Sequence, residues 1–201
     1  MITAVFSRPS NKTKLSRGIL PYFIIMLVSY SVGCVLVRVG LLFPPAEAYY
    51  RFLFEFSDDV SFIIAALISF IIKASLIAII YFMGYFSFGV PVLFLLTSAI
   101  SVCFGQLAGN IYNTLDSKGV LIFTASLLLP GMICCIIYCY RISRAVKCSL
   151  IMFNFSFSKD FKSESVDNKE FLINTLISLL IMLIISFLQM LVFKIVIYYA
   201  A

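Results

Sequence analysis

The sequence predicts an all-α, polytopic membrane helix bundle with five transmembrane helices, amino terminus in and carboxyl terminus out. Three observations predict it. Apolar stretches recur at 19–43, 60–82, 90–112, 120–140 and 171–200, each meeting the ~20 residues a helix needs to cross ~30 Å of hydrocarbon. Hydrophobic residues make up 63% of the 201-residue chain and charged residues 12%, with a mean hydropathy of +1.11. A water-soluble domain of that size cannot hide so much apolar surface. The charges are also lopsided. Arg8, Lys12, Lys14 and Arg17 precede the first stretch, and Arg141, Arg144, Lys147, Lys159, Lys162 and Lys169 fall in 141–170. The 44–59 connector instead carries Glu47, Glu55, Asp58 and Asp59 against Arg51. Cytoplasmic connectors are rich in Lys and Arg, so the tail and 141–170 are expected inside and 44–59 outside, as alternating crossings require.

The chain reads as a single membrane domain, 1–201, with a basic tail (1–18), an outer connector (44–59) and an inner connector (141–170). The first stretch is longer than the 7–15 residues of a signal-peptide core and is expected to stay as an anchor. The net charge of +6 comes from basic residues at segment ends, where anionic head groups attract them. The lipid bilayer is therefore the first partner, and no nucleic acid is expected.

Segment one begins with Pro21 in its first turn, where the missing N–H costs nothing, and Pro44-Pro45 is expected to stop it. Arg38, near its outer end, can snorkel to the interface or pair with the acids beyond. In the outer connector, Tyr49, Tyr50, Phe52, Phe54 and Phe56 intersperse with acids, as in a short interfacial helix with its aromatic face toward lipid; a partner-binding surface is the other reading. Segment two contains Lys73, about thirteen residues past Val60 and so roughly 20 Å into the crossing. Ionisable groups at that depth mark functional sites by default. Three arrangements are open to Lys73: snorkelling, contact with freed carbonyls or Gln106, or an acid or head group supplied by a partner or substrate.

Gly84, Gly89 and Pro91 break the helix between segments two and three in a tight inner turn. Segment three carries Ser101, Gly105 and Gly109 at four-residue spacing, a stripe that lets another helix approach closely. Gln106 and Asn110 lie beside it, able to hydrogen-bond across the contact or to line a polar pathway. Asn113–Gly119 forms a short outer turn. Pro130-Gly131 interrupts segment four, which a membrane helix tolerates when a neighbour satisfies the freed carbonyl. Arg141, Arg144 and Lys147 then form a basic stripe suited to the inner lipid surface. Segment five is the most uniformly apolar, with Gln189 inside it.

There is no histidine, and no acid falls within an apolar stretch. Histidine triads, ordinary proton relays and Walker-type nucleotide loops are excluded, and catalysis is not expected. The six cysteines lack metal-site spacing and are expected to pack within helices. No cofactor or metal is expected.

The run Gly84-x-x-x-x-Gly89-Val90-Pro91-Val92, the paired Gly105 and Gly109, the turn ending at Gly119 and the late Leu129-Pro130-Gly131 together resemble the stage II sporulation protein M family of bacterial membrane proteins. The basic tail, outer connector and final helix are similar in order and length. The chain has Gly131-Met132 where many members show a polar pair, and Lys73 where wider relatives carry asparagines. The resemblance implies a bacterial cytoplasmic membrane and a non-enzymatic scaffold that assembles cell-wall hydrolases, in an engulfment-type role where the host sporulates. A homo-oligomer is compatible with it. The alternative reading is the membrane subunit of a transporter partnered by a separate ATPase, for which Lys73 and the broken segment four speak.

Overall fold

The computed structural model describes residues 11–56, 61–157 and 168–200. Asp58, Asp59, Lys159, Lys162 and the first ten residues lie outside them. All regular structure among the described residues is helical: α1 (Asn11–Arg38), α2 (Pro44–Arg51) with a π turn at Phe52–Phe56, α3 (Phe62–Gly84), α4 (Gly89–Ile122), a π-helical segment at Phe123–Leu128, α5 (Leu129–Phe157) and α6 (Asn168–Ala200). Five helical spans, Ile19–Arg38, Phe62–Gly84, Gly89–Leu115, Gly119–Asn154 and Asn168–Tyr198, are long and apolar enough to cross a membrane. Large apolar side chains such as Val28, Ile63, Leu95, Leu129 and Leu180 point outward and stay exposed, as lipid-facing residues do.

Helix α1 ends earlier than its prolines suggest. Gly40 takes φ 81°, Gly40 N–H donates to Val37 C=O and Leu41 N–H to Leu36 C=O, each at 3.0 Å. This is a Schellman cap, with glycine in the left-handed position that other residues adopt at a cost. Pro44 then starts α2 rather than stopping α1.

Helices α1 and α4 run parallel and form the most extensive helix contact among the described residues. Tyr22 meets Phe94 at the amino ends of this pairing, and Cys34 Sγ donates to Gly105 C=O at 3.3 Å further along. A Cβ on Gly33 would sit 2.3 Å from Val102 O, and one on Gly105 would sit 2.1 Å from Tyr30 O. The small stripe of α4 is thus spent on α1, backbone against backbone, where lipid offers no hydrophobic drive. Gly33, the reciprocal half of the contact, is a residue not expected from the sequence.

Backbone helicity persists through residues 113–119, yet the chain reverses there. A Cβ on Gly131 would meet the Phe104 ring at 2.5 Å, whereas a straight helix would part those residues by ~40 Å. Gly119 closes the reversal against Ile111 C=O, 2.5 Å from its notional Cβ. The π-helical segment lies just before Pro130, whose absent N–H interrupts the regular ladder.

Helix α5 does not stop near residue 140. It continues to Phe157 because Ile142, Ala145, Val146, Cys148 and Ser149 are buried, and no proline or glycine intervenes. Ser149 Oγ donates to Phe86 C=O at 2.7 Å, and Ser87 meets Ser156 at 3.2 Å, holding the α3–α4 turn against this extension. Helices α3 and α6 pack antiparallel, Lys73 against Ser186 and Gln189, and Gly84 against Phe171.

Candidate functional site

Lys73 does not snorkel. Its Nζ turns inward and donates to Ser69 Oγ at 3.2 Å, Ser186 Oγ at 3.1 Å and Gln189 Oε1. An ammonium has three donors and no acceptor, so its capacity is filled by neutral oxygens from α3 and α6. Helical periodicity gathers this set: Ser69 and Lys73 are one turn apart, as are Ser186 and Gln189. Ser186 Oγ donates onward to Met182 C=O at 2.8 Å. Tyr138 of α5 donates to Lys73 C=O at 3.4 Å, bringing a third helix to the cluster.

The segment joining α1 to α3 closes the cluster. Gln189 Nε2 donates to Tyr49 Oη at 3.4 Å, and that hydroxyl lies 3.5 Å from Ser69 Oγ. Burial pushes the Tyr49 phenol above its ordinary value, keeping it a neutral hydroxyl. Leu53 is fully buried, and Phe54 meets the edge of Phe193 of α6 at 5.3 Å. The expected interfacial helix, aromatic side to lipid, is therefore corrected: α2 and its π turn fold into the end of the bundle, because Leu53 and the ring of Phe54 find a protein core there. Irregular backbone at such a position is tolerated when protein covers it. The salt bridge of Arg51 to Glu47, 2.7 Å, stays on the exposed side.

Gln106 does not reach Lys73. Fully buried, it accepts from Phe43 N–H at 3.0 Å and donates to Leu41 C=O at 3.1 Å, clamping the chain as it leaves α1. Asn110 is half-buried one turn on, and Arg38 is exposed at the end of α1, where a cation complements the helix dipole. Ser101 is buried, Gly109 faces Val37 of α1, and Pro91 is exposed in the first turn of α4. A Cβ on Gly89 would sit 1.9 Å from Met83 C=O across the α3–α4 turn.

The basic stripe divides. Residues at i, i+3 and i+6 drift by about 120° around a helix, so Lys147 is exposed, Arg144 half-exposed, and Arg141 fully buried between α3 and α6. Arg141 Nη2 donates to Thr175 Oγ1, and its guanidinium lies 4.8 Å from the Phe171 ring centroid. The inward stripe of α6, Phe171, Thr175, Ser178, Met182, Ser186, Gln189 and Phe193, was readable in the sequence, since its members recur at three- or four-residue steps. The cysteines are all free, and Cys134, Cys135 and Cys139 contact methionine sulfurs of Met182 and Met26.

No family model, no curated protein and no solved structure matches the chain.

Proposed function

We propose that the chain is a non-enzymatic scaffold of a bacterial cytoplasmic membrane, amino terminus inside and carboxyl terminus outside. Its resemblance to the stage II sporulation protein M family gives the kind of partner: cell-wall hydrolases gathered at the membrane, in an engulfment-type role where the host sporulates. One observation carries the reading. The donors of Lys73 are taken up by Ser69, Ser186 and Gln189 of the same chain, so this cation works as a tie between helices. Gln106 at one end and Ser149 at the other bind connectors to the bundle in the same manner. Such a frame suits holding partners in fixed relation.

Crosslinking in intact membranes, followed by purification of the tagged chain, tests the proposal. Wall hydrolases or their membrane anchors should co-purify in stable ratio, and Gln189→Leu, which leaves the Lys73 charge with one acceptor fewer, should lower that recovery by loosening α3 from α6. Recovery of the chain alone at every crosslinker length would refute the scaffold. A second reading, the permease subunit, is favoured by the extension of α5 to Phe157 beside the α3–α4 turn, a surface suited to a docking ATPase. Stoichiometric capture of an ATPase in place of hydrolases would select it.

A further inference from the structure

Arg141 is the largest fully buried side chain among the described residues, none of which gives its Nε or Nη1 a hydrogen-bond partner. Nε carries one proton and Nη1 two, so three strong donors are held out of water without an acceptor. A desolvated charge with its donors unmet is among the costliest arrangements a protein can hold. The stacked Phe171 ring, 4.8 Å away, offers its π face and leaves the in-plane N–H groups untouched. Arg144, one turn on, repeats the pattern with a buried, unpartnered Nε on a side chain that is 40% exposed. One arginine is therefore enclosed, and the next leads from it to the surface.

The surroundings select the ligand. Arg141 Nη2 faces Phe171 C=O at 3.5 Å, in the first turn of α6, where backbone N–H groups have no partner within the helix and the dipole favours an anion. The nearby acid, Glu170, reaches Arg144 Nη2 at 3.5 Å. Depth identifies the source: Gly84, the last residue of α3, packs on Ala145 and Phe171. The arginines thus lie where one membrane crossing ends, at the level of phospholipid phosphates, and basic pockets between helices at that level bind anionic head groups.

We propose that Arg141 and Arg144, at the first turn of α6, bind the phosphate of an anionic phospholipid head group, with free phosphate as the other source of the same chemistry. Binding supplies the acceptors that the described residues lack and locks α5 to α6. The test uses the full chain, delipidated in neutral detergent. Dioleoylphosphatidylglycerol should raise its Tm by roughly 5–10 °C at saturation, with dioleoylphosphatidylcholine producing no such rise. A rise with inorganic phosphate alone supports the anion site and assigns it to the free ion. Arg141→Met, which removes the unmet charge and keeps the volume, should still fold and lose the rise. Arg144→Gln should weaken it at least threefold in the concentration needed. No stabilisation by either phosphate source overturns the proposal. So does an equal response in wild type and Arg141→Met. Should Arg141→Met not be recovered folded, an unaltered midpoint in Arg144→Gln overturns it as well.

Discussion

The ammonium of Lys73 and the amide of Gln189 are bonded to each other, yet removing one differs from removing the other. Gln189→Leu leaves the charge in place with one acceptor gone, and hydrogen bonds to charged groups contribute about 1.5–3 kcal/mol. Lys73→Met removes the charge with its desolvation cost, and apolar replacement of a buried ion is often neutral or stabilising. Gln189→Leu should thus lower stability by about 2 kcal/mol and Lys73→Met by less than about 1 kcal/mol, with the double variant behaving as Lys73→Met. Unfolding in mixed micelles measures the series; equal losses in the single variants would contradict the tie described above. The glycines allow a second comparison. Gly105→Ala drives a methyl into Tyr30 C=O, 2.1 Å away on the backbone of α1, whereas Gly109→Ala meets the Val37 side chain at 3.3 Å. Overpacking costs about 1–3 kcal/mol where the neighbour cannot move, so Gly105→Ala should fall in that range and Gly109→Ala well below it. At this scale the sequence singled out Lys73, Gln106, Gly105 and Gly109. It did not disclose their partners, because Ser186, Gln189 and Tyr49 lie 113, 116 and 24 residues from Lys73, and pairing across such separations depends on which helices become neighbours.

Helix existence followed from apolar length, but helix ends followed from packing and capping. Pro44-Pro45 looked like the stop for α1, yet Gly40 ends it because the left-handed cap satisfies Val37 and Leu36 carbonyls first. Arg141 looked like the start of an aqueous connector, yet α5 continues because Phe171, Thr175 and the α3–α4 turn accept its inner face. The outer connector differs most from its composition. Amphipathic aromatic segments suit an interface, and only the packing of α3, α4 and α6 around it decides that Leu53 enters protein instead. That difference is measurable. Leu53→Ala should cost about 2–5 kcal/mol, the range for a buried leucine truncated in a packed core, and should raise hydrogen exchange of Ala46–Arg51 before the rest of the chain opens. A loss under about 0.5 kcal/mol, as expected of a side chain dissolved in lipid, would restore the interfacial arrangement.

The directions of the helices make the whole molecule testable. Helix α1 runs parallel to α4 and α3 antiparallel to α6, as spans one with three and two with five must if every connector reverses the chain. One end of the bundle gathers Arg38, α2, the start of α3 and Phe193; the other gathers the α3–α4 turn, the end of α5 and the first turn of α6. On the proposed orientation, the cytosolic end is the one richer in Lys and Arg, which resist translocation and collect inside. Lys12, Lys14 and Arg17 at the start of α1 join Arg144, Lys147 and Lys169 at the second end, beside Glu170, whereas Arg38, Arg51 and Lys194 lie at the first, beside Glu47. A cysteine placed at the exposed Ala48 should therefore react with an impermeant maleimide from outside intact cells, in a background lacking the native cysteines. One at the exposed Asn154 should react only after the membrane is opened. Charge further predicts that the orientation is robust: neutralising Lys147 alone should leave both labels unchanged, because Arg141 is buried against α6 and Arg144 and Lys169 remain at the same end. Labelling of both positions from one side would break the five-span alternation itself, and with it the proposed placing of Arg141 and Arg144 at the level of the phospholipid phosphates. Reversed labelling would keep the bundle and move that site to the outer leaflet.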